Sequence, residues 1–203
     1  APDMTVLSEH ITVGGITAMA WQQNPQSILW CVRADGTLLG FTYERDQDVL
    51  GWHRHTLGGV SDANGTAAKV ESEAVIPSAD GTRDELWLVV KRYVNGATVR
   101  HVEYMAKFWE ESDSQEDAKY LDSLVTYDST STTTITGLDH LEGETVSILA
   151  DGAKLPDETV SGGQITLDQA ASVVQDGYSY NSDGKPLRLE AGATDGTAQG
   201  KTQ

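Results

Sequence analysis

The sequence predicts an all-β chain: propeller-like or sandwich antiparallel sheets first, then a small barrel- or sandwich-like β module. Three observations predict it. Turn signals recur at roughly 8–12-residue spacing. Short runs rich in β-branched and aromatic residues fill the intervals. No segment sustains a 3.6-residue period for more than about three turns.

The elements follow in order. Ile28 to Arg33 is an apolar run, Ala34-Asp35-Gly36 follows, and Thr37 to Tyr43 is a second run. Two runs joined by Asp-Gly make a hairpin, because a type I′ turn needs positive φ, which Gly and Asp tolerate. Gly51 to Thr56 is the next strand, and Val70 to Ile76 begins as an alternating one. Ala79-Asp80-Gly81 turns the chain into Glu85 to Arg92. Asn95-Gly96 turns it again into Thr98 to Met105, the sharpest hairpin signal in the chain. These elements make residues 1–108 one antiparallel module.

Residues 109–129 form an acidic connector with room for one helical turn, and Tyr120 to Tyr127 reads as a strand. Residues 130–203 read as a second, barrel-like module of short strands. They are Thr132 to Thr136, Thr145 to Ala150, Glu158 to Val160, Gln164 to Leu167, Ala171 to Val174 and Gly177 to Tyr180. Asp-Gly recurs at 35–36, 80–81, 151–152 and 183–184, which marks turns and not a fixed-length repeat.

Composition narrows the function. The 203 residues carry 14 basic and 31 acidic side chains, a net charge of −17. That balance opposes a surface that grips phosphate. The acidity lies in the second half. Residues 1–108 carry 9 basic and 13 acidic side chains, 109–129 carry 1 and 7, and 130–203 carry 4 and 11. No apolar run approaches the roughly 18–20 residues that span a bilayer, so this segment is not expected to insert into a membrane. The opening residues show no basic-then-apolar signal-peptide pattern. The single cysteine, Cys31, reads as a small buried hydrophobe. A chain without disulfides suits a reducing compartment or a rugged assembly.

No motif assembles a nucleophile, a base and an orienting group. His53 and His55 share one strand face, but a metal needs further ligands from elsewhere. His10 and His101 stand alone. Ser78-Ala79-Asp80-Gly81-Thr82 followed by Trp87 misses the spacing of the Asp box of sialidase-type propellers. Asp62-Ala63-Asn64-Gly65 lacks the later ligands of a calcium loop and reads as a turn. The aromatics on strands could serve as sugar platforms, but Trp30, Trp87 and Tyr43 sit in apolar runs and read as core, and Trp52 and Trp109 read less clearly so. The window Gly137 to Gly152 holds Asp139, His140, Glu142, Glu144 and Asp151. Alternation along Thr145–Ala150 keeps its acids from converging, so it reads as a turn, a strand and another turn. The expectation is a non-enzyme with no metal and no cofactor.

The motifs occur in a recognisable order. They run Glu9-His-Ile-Thr, Ala18-Met-Ala-Trp21, Pro25 to Trp30, Arg33 to Tyr43, Val49 to His55 and Gly58-Gly59. They continue through Asp84 to Arg92, Asn95-Gly96, Gly137 to Val146, Leu149 to Gly152, Thr159 to Gly163 and Gly196 to Lys201. In this order the chain resembles the tail nozzle proteins (tail tubular protein B type) of short-tailed bacteriophages and related prophage proteins. Family proteins are longer, so the chain reads as an internal fragment.

The resemblance implies a structural virion protein that forms a hexameric ring around the DNA channel, used in genome retention and ejection. Its implied partners are copies of itself, the tail adaptor and tail fibre proteins. Its implied location is the phage tail, assembled in the host bacterial cytoplasm. DNA would pass through without specific binding. Acidic walls within a Debye length, about 8–10 Å, would keep the duplex centred. Asp139, Glu142, Glu144 and Asp151 are the candidate channel-lining residues. The alternative is a carbohydrate-binding or adhesin β domain with exposed aromatics. A hydrolase with an unrecognised site is a third reading.

Overall fold

A computed structural model of the chain describes residues 3–6 and 8–184, together with the backbone of 190–191 and 198–199. After a single helical turn, α1 (Glu9–Thr12), four strands run as an antiparallel meander. They are β1 (Ile16–Gln22), β2 (Ile28–Arg33), β3 (Leu38–Glu44) and β4 (Val49–His55). A three-stranded meander follows: β5 (Lys69–Pro77), β6 (Asp84–Val94) and β7 (Ala97–Tyr104). The third sheet has the order β10-β9-β11-β8. Its strands are β8 (Asp122–Thr136), β9 (Thr145–Ala150), β10 (Ala153–Thr159) and β11 (Gln164–Tyr178). A two-residue pair, β12 (Glu190–Ala191) and β13 (Ala198–Gln199), ends the described chain.

The first two sheets form a sandwich. Ile28, Trp30, Val32 and Leu38 of one pack with Val70, Leu86, Leu88 and Val90 of the other in a single core. Strict alternation along β6 produces this: Leu86, Leu88, Val90 and Arg92 are buried while Trp87, Val89, Lys91 and Tyr93 are not. Trp87 therefore leaves the core expected for it, and so does Tyr43, which is exposed on β3. Trp30 and Cys31 are fully buried as expected. The Asn95-Gly96 turn has positive φ at both residues, 47° and 78°, as a type I′ hairpin requires.

The third sheet builds a separate core from Ile135, Leu138, Leu141, Val146, Ile148, Val160, Ile165 and Val174. The strands here are longer than the sequence suggests. Gln164–Leu167, Ala171–Val174 and the start of Gly177–Tyr180 merge into β11, and Thr132–Thr136 merges with the preceding strand into β8. The polar residues between them mark bulges, not turns. The β11–β8 register shifts between Thr166 and Ala171 and again between Ala171 and Val173. The expected barrel does not close: β10 pairs only with β9 and β8 only with β11, so both edges stay open among the described residues. Pro156 sits on edge strand β10, where a missing N–H costs no ladder bond, and the register slips around it.

Candidate functional site

The four candidate acids occupy two places. Glu142 accepts the Gly162 N–H at 3.0 Å on Oε1 and the Gly163 N–H at 2.8 Å on Oε2. Those two backbone donors hold its carboxyl below the ordinary range, Gly163 first. Asp139 lies against the same turn, because a Cβ on Gly163 would meet its Oδ1 at 2.5 Å. Glu144 precedes β9 and lies near Tyr178. Burial first, and then the Glu144 charge, pushes the Tyr178 hydroxyl up. Asp151 is at the far end of β9, roughly 20 Å along the strand. Its Oδ1 accepts the Ser172 and Val173 N–H groups at 3.0 and 2.8 Å, holding the bulge in β11. Among the described residues no three His, Cys, Asp or Glu side chains are grouped to hold a metal ion.

His53 and His55 do share a face. His53 Nδ1 lies 2.7 Å from His55 Nε2, and both rings pack on Trp30. Burial lowers both imidazoles, His55 to about 4. Neutral, packed rings in a sandwich core are structural. Gly40 makes room for them: a Cβ there would lie 2.1 Å from His53 Cε1. The Asp62 and Asp80 segments are turns, with each carboxylate accepting from its own loop, Asn64 and Thr66 in one and Ser78 and Thr82 in the other.

A polar junction that the sequence did not reveal joins the sandwich to the third sheet. Arg92 of β6 is completely buried. Its Nε donates to the Gly58 carbonyl at 3.2 Å, its Nη1 pairs with Glu103, and its guanidinium lies 5.6 Å from the Tyr178 ring centre. The Gly58 N–H donates to Asp122 Oδ2 at 2.6 Å. Ser123 bridges two histidines, its Oγ 3.2 Å from His101 Nδ1 and its carbonyl 3.0 Å from His140 Nε2. Burial raises Asp122 and lowers His101, the latter helped by the Arg92 charge. An arginine inside a strand pattern looks solvent-facing; only the β6 alternation marks position 92 as inward.

The outward faces of the sandwich are apolar. On β1–β4, Trp21, Leu29, Phe41 and Trp52 stand in one cross-strand row. Trp21 is 47 % exposed, and Met19 beside that row 66 %. On β5–β7, Ala74 pairs with Trp87 and Trp87 with Tyr104, next to a row of Ser72, Val89 and Val102. Val102 is 69 % exposed and Tyr104 50 %. At the end of this face a groove of about 340 Å³ lies between Arg83, Tyr104, Lys107, Trp109 and Lys119.

No family model matches this chain, and no curated protein matches it.

Proposed function

We propose that the chain is a structural, non-catalytic component of the tail nozzle of a short-tailed bacteriophage, assembled with further copies into a ring around a DNA channel. The observation that carries this reading is the pair of apolar patches on opposite outer faces of one sandwich, Met19, Trp21, Tyr43 and Leu50 exposed on one and Val102 on the other, beside Val89. Contiguous exposed apolar surface marks interaction. Two different faces, pointing opposite ways, suit head-to-tail contacts, and such contacts generate rings when the rotation from copy to copy closes. The motif order in the sequence supports the same reading.

The partners proposed with it are copies of the chain, six in a ring, the tail adaptor and tail fibre proteins. The virion tail is the proposed location, with assembly in the host bacterial cytoplasm. DNA passes without specific binding, because a net charge of −17 per copy repels phosphate. Glu142 and Asp151 suit a fixed lumenal charge, since backbone donors hold both carboxylates in place. Among the described residues no helix is long and apolar enough to cross a membrane. Mass photometry across a concentration series tests the reading: it predicts a discrete ring species, and a monomer at every concentration contradicts it.

A further inference from the structure

We propose that the groove between Tyr104 and Trp109 is a binding site for a neutral carbohydrate. It does not depend on the nozzle reading. Its walls are two aromatic rings, each held in place. Tyr104 is stacked on Trp87 at 5.2 Å with planes 29° apart, and the Trp109 indole Nε1–H donates to the Ser114 carbonyl at 3.0 Å. Rigid aromatics offer large contact area at small entropic cost.

The polar groups around the rings alternate in kind. Lys107, Lys119 and Arg83 donate, and Asp113 and Asp117 accept. Lys107 pairs with Asp113 at 2.7 Å, and Arg83 with Glu85 at 2.8 Å, so the groove is close to neutral. Lys119 and Asp117 have no side-chain partner among the described residues, and both line the groove. One free donor and one free acceptor beside an aromatic wall match adjacent hydroxyls on a sugar ring. An anionic ligand would meet Asp117 and a chain of net charge −17, so the arrangement favours a neutral sugar. The volume, about 340 Å³, falls at the small end of the range for ligand pockets, which suits one or two sugar units.

Calorimetric titration and tryptophan emission test this with neutral tetrasaccharides of glucose, galactose, mannose and N-acetylglucosamine, and a galacturonate tetramer as the acidic counterpart. At least one neutral sugar should saturate the wild-type chain. Trp109→Ala and Tyr104→Ala should each weaken that binding by about tenfold, and Asp117→Ala severalfold. Trp21→Ala, on the opposite face, should leave it unchanged. If Trp109→Ala unfolds, the exposed Asp117→Ala carries the comparison. Saturation by no neutral sugar, preference for galacturonate, or equal affinity in the groove variants overturns the proposal.

Discussion

His101 and His140 meet edge to face, with ring centres 5.6 Å apart, across the junction between the β5–β7 sheet and the third sheet. Ser123 lies between them, and Arg92, Glu103 and Asp122 lie behind. The two modules are therefore joined by a compact polar knot, not by an apolar seam. Its geometry makes the knot sensitive to small changes.

Gly58 is one such point. A Cβ there would lie 2.6 Å from Tyr178 Cβ and 2.8 Å from the Ser179 carbonyl oxygen. Neither can swing away, so Gly58→Ala should lose roughly 1–3 kcal/mol in urea unfolding. Arg92→Met should cost up to about 3 kcal/mol, because it takes the fully buried cation away from the part-buried Glu103 and Asp122 carboxylates.

Asp176 on β11 should shape the pH dependence. It is fully buried, neither carboxylate oxygen has a partner among the described residues, and burial raises its pKa to about 7. A raised carboxyl binds its proton more tightly in the folded state. Its contribution is therefore fully present below the ordinary carboxylate range and is lost as pH rises toward 7. Asp176→Asn should gain stability over wild type across that rise, on the order of 2–4 kcal/mol at pH 8. The difference between the two unfolding curves isolates this effect from the buried histidines. His55, lowered to about 4, works in the opposite sense and loses stability as pH falls.

Glu142 anchors the Gly162-Gly163 turn through two backbone N–H groups. Glu142→Ala should lower the thermal unfolding midpoint, and Glu142→Gln should lower it less, since the amide oxygen can still accept one bond. Equal stability of both variants and wild type in thermal unfolding would remove the anchoring role.

The apolar faces should be separable from folding. Trp21→Glu and Val102→Glu place charge on opposite outer faces. Each should leave the circular dichroism spectrum and unfolding midpoint nearly unchanged, within about 0.5 kcal/mol, while abolishing higher-order species in mass photometry. Surviving rings in both variants would assign assembly to another surface.

Much of the fold was legible because turn chemistry is local. Asp35-Gly36, Asn95-Gly96 and Asp151-Gly152 each stand where a hairpin turns. β1 is not legible in the sequence, because Ile16–Gln22 carries apolar residues on both faces, so Met19 and Trp21 hide the alternation. β8 and β11 look like fragments in the sequence, because bulges and turns draw on the same polar residues. The junction was invisible for a different reason. Arg92, Asp122 and Tyr178 are far apart in sequence, and their meeting depends on how two sheets dock. Strand geometry sets Asp151 apart from the other acids of the Gly137–Gly152 window, whereas Asp139 and Glu142 meet at one turn, and their backbone partners, Gly162, Gly163, Ser172 and Val173, come from β11 and the turn before it.

Cryo-electron microscopy of the assembled chain tests the central claim most directly. The nozzle account predicts a six-fold ring in which the Trp21 face of one copy meets the Val102 row of the next and leaves the Tyr104–Trp109 groove open. It also predicts that Asp139, Glu142, Glu144 and Asp151 line the lumen. A ring with those four carboxylates on its outer rim, or particles containing only single copies, would contradict it.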